Sequence, residues 1–243
     1  MSILEVKNVS KRFGGVQAIK QVSFSVTSGE ILGLIGPNGA GKTTIFNLIT
    51  GAIRPDEGDI LYKNEIITGL KPHLTCKAGI SRTFQVTRPL NKMTCRENVL
   101  VPLLENRPDL KGAVRIKQAE ELLHMTALDG KEDWLAESLN LIDKKRLELT
   151  RALAASPKLI LLDEVLGGLN SMEMQDALKL IRSIRDQFDI TVVWIEHIMG
   201  AIMNVCERVI VLDQGHLICQ GAPESVCQDP NVIEAYLGEQ KDA

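Results

Sequence analysis

The chain reads as an α/β protein with a mainly parallel sheet, an N-terminal antiparallel β subdomain and a helical subdomain insertion. Three observations carry that reading. Short apolar runs at Ile31–Ile35, Leu159–Leu162 and Ile190–Ile195 each lead into glycine or polar residues, as strands buried on both faces of a parallel sheet do at their ligand-bearing tips. Ahead of them, Ile3–Val9 and Val22–Val26 read as half-buried strands. From about Val86 to Thr150 the pattern turns helical and leaves the βαβ alternation.

The 243 residues carry a net charge of −3 and only 4% aromatic residues. Neither a basic field nor a stacking platform is present, so no nucleic-acid partner is expected. The apolar runs fall far short of the ~18 residues that span a bilayer. The Met-Ser-Ile-Leu-Glu-Val-Lys start lacks the basic-then-apolar shape of a secretion signal, so a cytoplasmic or membrane-peripheral protein is expected. Five scattered cysteines without a C-x-x-C pair read as reduced, structural thiols.

In order, Ile3–Val9 leads to Lys11-Arg-Phe-Gly-Gly15. Phe13, on this glycine-rich loop, either offers its ring face to a purine or packs on the sheet. Ser28-Gly29 turns the chain from Val22–Val26 into the first buried run. Gly36-Pro-Asn-Gly-Ala-Gly-Lys-Thr43 follows and fits the G-x-x-x-x-G-K-[ST] phosphate-binding spacing, with a strand before it and a helical pattern after it, the context this motif requires. Glycines let backbone N–H groups turn inward on phosphate oxygens, and the new helix adds its positive end. Gly36, Pro37, Asn38, Gly39, Ala40, Gly41, Lys42, Thr43 and Thr44 are therefore the candidate ATP-binding residues. Lys42 would neutralise β/γ-phosphate charge and the Thr43 hydroxyl would ligate Mg2+. This is the core of a P-loop NTPase.

Arg54-Pro-Asp-Glu-Gly58 is a turn, Asp59–Ile67 a strand and hairpin, and Gly79–Gln85 a short strand ending at a polar residue. Pro89, Pro102 and Pro108 punctuate the insertion, where Glu120–Met125 and Trp134–Leu141 read as helical. Lys158-Leu-Ile-Leu-Leu-Asp-Glu164 ends a buried run in two acids, and buried strands seldom do so without a cation or reaction to serve. Asp163 suits Mg2+. Glu164, one residue on, suits the base that takes a proton from an attacking water. Ile190–His197 repeats the design, which sets His197 near the γ-phosphate. His216 follows the turn signal Asp213-Gln-Gly215 and is expected to be exposed; Pro230–Gly238 is a short amphipathic tail.

Gly36–Thr43, Gln85, Asp163-Glu164 and His197 stand in the order and spacing of an ATP-binding-cassette (ABC) ATPase, and the resemblance covers essentially the whole chain. Lys11–Gly15, Ser81-Arg-Thr-Phe-Gln85, Gly168-Leu-Asn170 and Val232–Gly238 are similar to the ATPase subunits of branched-chain amino-acid importers. The resemblance implies one ABC domain over residues 1–243, with 1–85 and 151–243 as nucleotide-binding core and 86–150 as helical subdomain. It also implies that Phe13 stacks on adenine, that Gln85 senses Mg2+ and the attacking water, and that His197 holds the γ-phosphate. Two such subunits close head to tail on two ATP molecules and drive paired membrane permease subunits, on the inner face of the cell membrane. Long coiled coils, tandem cassettes and basic extensions of the DNA- and ribosome-acting relatives are absent from the sequence.

The sequence also departs from the family pattern. Where a Leu-Ser-Gly-Gly-Gln signature donates to a partner's γ-phosphate, this chain reads Leu139-Asn-Leu-Ile-Asp-Lys144. Asn140 replaces the serine and Ile142 a glycine, a β-branched side chain where backbone should approach phosphate. Val165 replaces a proline and Asn170 an aspartate. The chain's own pocket reads as complete and its contribution to a partner's pocket as weakened, which favours a heterodimer with a second ABC ATPase over a homodimer. The alternatives are a soluble ABC ATPase not linked to transport and a nucleotide-gated subunit with weak hydrolysis.

Overall fold

The computed structural model describes residues 1–238. Burial alternates along the two long N-terminal strands, so each has a wet and a dry face. β1 (Ser2–Phe13) and β2 (Val16–Thr27) pair antiparallel. With β4 (Glu57–Tyr62) and β5 (Glu65–Ile66) they form a four-stranded sheet in the order β2-β1-β4-β5. β1 outruns the expected Ile3–Val9 because Asn8 takes a left-handed turn (φ 49°). That bulge breaks the alternation without ending the strand.

The second sheet holds the strands that the apolar runs predict. β3 (Ile31–Ile35), β7 (Leu159–Asp163) and β8 (Thr191–Ile195) are buried at every residue. With β6 (Ile80–Arg82), β9 (Arg208–Asp213) and β10 (His216–Gly221) they run in the order β10-β9-β3-β8-β7-β6. Only the β9–β10 pair is antiparallel, and its hairpin turns on Gln214-Gly215, both at positive φ.

Alternate side chains enter two cores. Ile31 and Ile35, Ile160 and Leu162, Val192 and Trp194 point to one face. They meet α3 (Cys95–Asn106), α4 (Gly112–Met125), α5 (Leu141–Ala154), α6 (Ser171–Phe188) and α7 (Met199–Val205). Leu32 and Leu34, Leu159 and Leu161, Val193 and Ile195 point to the other. There α1 (Lys42–Ile49) is buried between the two sheets through Ile45, Phe46, Leu48 and Ile49. The helix that follows the phosphate loop is thus fixed on both sides, and truncating a residue such as Phe46, 0% exposed, costs about 3–5 kcal/mol. Short helices α2 (Pro72–Ala78), α8 (Pro223–Cys227) and α9 (Pro230–Gly238) complete the elements of the described residues.

The insertion is helical, with two differences from expectation. Trp134–Leu141 is not an α-helix: it holds one 3-10 turn, Ala136–Ser138. Its backbone bonds sideways instead, Cys95 N donating to Trp134 O and Ala136 N to Met93 O, so those groups are satisfied without a helix. α5 runs to Ala154, past Thr150, where the insertion was expected to end. Thr94 and Glu97 form a capping box at the start of α3, which fixes where the helical part begins.

Candidate active site

The phosphate loop leaves β3 at Gly36 and enters α1 at Lys42. A Cβ on Gly36 (φ 144°) would lie 1.9 Å from the Leu212 carbonyl oxygen, and one on Gly41 (φ 107°) 2.8 Å from the Ala18 carbonyl. No other residue fits either place. The β9–β10 turn braces the loop from outside, Gly215 N donating to Ala40 O at 3.1 Å. Gly41 caps α1 without any side chain over its first turn, so the helix presents backbone amides to an anion. Pro37, Ala40 and Lys42 are buried, Asn38 and Gly39 exposed, and Thr43 and Thr44 line the open side of the first turn. Lys42 Nζ curls into the loop and donates to Gly36 O at 2.6 Å and Pro37 O at 2.8 Å.

The tips of β7 and β8 lie side by side, Asp163 in register with Ile195. Glu164 follows in the left-handed region (φ 48°), a costly conformation for a side chain other than glycine or asparagine. Its carboxylate is gripped from two directions. Gln85 Nε2 donates to Oε2 at 2.6 Å, and His197 Nε2 meets Oε1 at 2.6 Å. Two positions singled out in the sequence, from separate segments, therefore converge on the carboxylate of a third. Asp163 is 3% exposed; its amide donates to Thr83 Oγ1 and its Oδ2 accepts from Arg82 Nη2 at 2.7 Å.

Several residues that sequence reasoning missed hold this arrangement. Glu196, buried beside His197, accepts from Leu166 N at 2.9 Å and from His197 N at 3.0 Å, tying the loop after β7 to the tip of β8. Lys145 on α5 donates to the carbonyls of Val165 and Gly167; burial pushes its ammonium pKa down. Glu148, also on α5, accepts from Phe84 N at 2.5 Å and Arg88 N at 3.0 Å, clamping the segment on both sides of Gln85. Burial pushes the Glu148 carboxyl up despite those two donors. In the sequence, an acid four residues before an apolar run was the sole trace of this clamp.

Phe13 ends β1 rather than sitting in the loop beyond it. Its ring is 48% exposed, with Lys11 Nζ 5.7 Å from the centroid, so it does not pack on the sheet. Lys11 pairs in register with Ile19, and Ile19 lies against Gly41, which brings this hairpin to the phosphate loop. His216 is exposed at the start of β10.

Asn140 caps α5, its side chain accepting from Asp143 N at 2.8 Å. Asp143 is 4% exposed and paired with Lys131 at 2.5 Å. Leu141 stands 54% exposed at the very tip.

The donor set suits Mg2+. Thr43 and Asp163 offer hard oxygens, and among the described residues no group of three His, Cys, Asp or Glu is placed to hold a metal alone. A dication carried mainly by nucleotide phosphates needs no more than that.

A family model described as ABC transporter matches residues 19–167, and one described as branched-chain amino acid ATP-binding cassette transporter matches residues 216–242. The lipopolysaccharide export system ATP-binding protein LptB of Escherichia coli (strain K12) is 36% identical over 239 residues, 98% of each chain. The high-affinity branched-chain amino acid transport ATP-binding protein BraF of Pseudomonas aeruginosa is 36% identical over 252 aligned positions, again 98% of each. A crystal structure of an ABC transporter's ATP-binding cassette in its ADP conformation superposes with a TM-score of 0.88 at 33% identity, covering 98% of this chain and 99% of that one. The first of these matches runs through the phosphate loop and through Asp163 and Glu164, and on that ground the chain belongs to the ABC transporter ATPases, which bind ATP with Mg2+ and hydrolyse it.

Proposed function

We propose that this chain powers an importer of amino acids or similar small solutes, from the cytoplasmic face of the membrane and against paired permease subunits. Glu164 held between Gln85 and His197, one residue beyond Asp163 at the end of β7 in the sheet whose β3 leads into the phosphate loop, is the observation that carries the catalytic part. In this reading Phe13 stacks on adenine, while Gly36–Thr44 and Lys42 take the phosphates. Thr43, Asp163 and Gln85 hold Mg2+, which when bound neutralises charge developing between the β- and γ-phosphates. Glu164 takes the proton of the attacking water, and His197 steadies the γ-phosphate. The Glu148 clamp then carries any shift of Gln85 into α5 and the helical subdomain. Glu164→Gln tests this assignment: ATP binding is retained and hydrolysis lost, whereas unchanged turnover removes Glu164 from the role of base.

The match of residues 216–242 to the branched-chain amino acid model and the similarity to BraF support the importer. Likeness to LptB favours a second reading, an export system. Uptake of radiolabelled leucine by cells lacking this chain separates them: it falls in the first case and is unchanged in the second. Among the described residues no helix is long and apolar enough to cross a membrane, and the proposal gives that task to the permeases. The tip of α5, with Asn140 where a serine and Ile142 where a glycine is expected, supports pairing with a second, unlike ATPase that supplies the better signature.

A further inference from the structure

The Asp163 carboxylate already has a partner. Arg82, at the end of β6, donates from Nη2 to Asp163 Oδ2 at 2.7 Å, and the two side chains are 8% and 3% exposed. Arg82 is itself fixed from two more sides. Its Nη1 donates to Asn47 Oδ1 on α1 at 2.6 Å. Its guanidinium carbon lies 5.4 Å from the Phe46 ring centroid and 5.3 Å from that of Phe84, within cation–π range of both. No role assigned so far uses this arginine.

A carboxylate buried this deeply is costly without a countercharge. One that meets a dication only while nucleotide is bound faces that cost in every interval between. We propose that Arg82 is a positioning residue, the standing countercharge of Asp163, which holds the carboxylate in place without metal and so limits how much Mg2+ adds to nucleotide binding. The inference rests on the reading of Asp163 as a Mg2+-facing group. With Arg82 present, the charge of Asp163 is compensated before the metal arrives, and the metal gains only the difference. With Arg82 neutralised, Mg2+ is the first countercharge that Asp163 meets, and the two binding events become more tightly linked.

The readout is ADP affinity of the purified chain by calorimetry, with Mg2+ and with the metal chelated. For Arg82→Gln the ratio of the two affinities rises about fivefold or more, while Arg82→Lys and Asn47→Ala, which keep the charge, stay within about twofold of the parent. A purely structural role for Arg82 predicts weaker binding in both conditions at a constant ratio. A ratio that is constant or lower in Arg82→Gln overturns the proposal. If Arg82→Gln does not fold, adding Asp163→Asn removes the buried charge and restores folding; failure of the double variant to fold also overturns it. Parent protein that binds no ADP in either condition would instead refute the nucleotide site itself.

Discussion

Two helices of this protein start at places where the proposed function sets phosphate, and they are built in opposite ways. α1 begins at Gly41 with no side chain over its first turn, and Lys42 lies inside the loop ahead of it. α5 begins at Asn140, whose side chain occupies an amide of the first turn, with Asp143 three residues on. A helix end binds an anion only if its amides are left open and no acid sits among them. The first helix meets both conditions and the second meets neither. In the proposed reading, one chain thus carries an open site for its own nucleotide and a tip satisfied by its own side chains.

The largest effect belongs to Lys42→Ala, which abolishes measurable ATP binding in equilibrium dialysis; retained affinity would remove the loop from the account. Glu164→Gln comes next, lowering steady-state turnover by about 10²–10⁴-fold, the usual worth of a positioned base, with ATP affinity unchanged. At the other helix, Leu141→Gly with Ile142→Gly and Asn140→Ser is expected to raise turnover of the isolated chain about 10²-fold, by analogy with adding one phosphate-facing donor. Glu148→Ala leaves the amides of Phe84 and Arg88 without their acceptor and lowers unfolding free energy by about 1–3 kcal/mol, read by urea denaturation. The smallest effect is Asn140→Ala, about 1 kcal/mol for a lost cap, and a null result there would mean the tip is not self-satisfied.

The two regions also differ in how far the sequence discloses them. The phosphate loop and the acids of β7 are contiguous and follow apolar runs, so spacing alone exposes them. Support from Arg82 to Asp163 spans 81 residues, from Glu148 to Phe84 64, and from Glu196 to Leu166 30. No local pattern announces such partners, because the sheet order that unites them is a property of the whole fold. His197 was legible from its place after an apolar run and the role of Gln85 only through resemblance, while their meeting on Glu164 needed three dimensions. Trp134–Leu141 misleads for a related reason: its apolar spacing suits a helix, but the chain ahead of α3 supplies the bonds a helix would have made. Asn140 and Asn170 read as losses in the sequence, yet both cap the helices that follow them.

The claim that the chain completes its own site but weakens a partner's is tested most directly by ATP turnover per chain as the concentration of the isolated protein rises. Turnover is expected to be slow and flat in the parent, and to rise with second order in the variant carrying Asn140→Ser, Leu141→Gly and Ile142→Gly. Brisk, second-order turnover in the parent would contradict it.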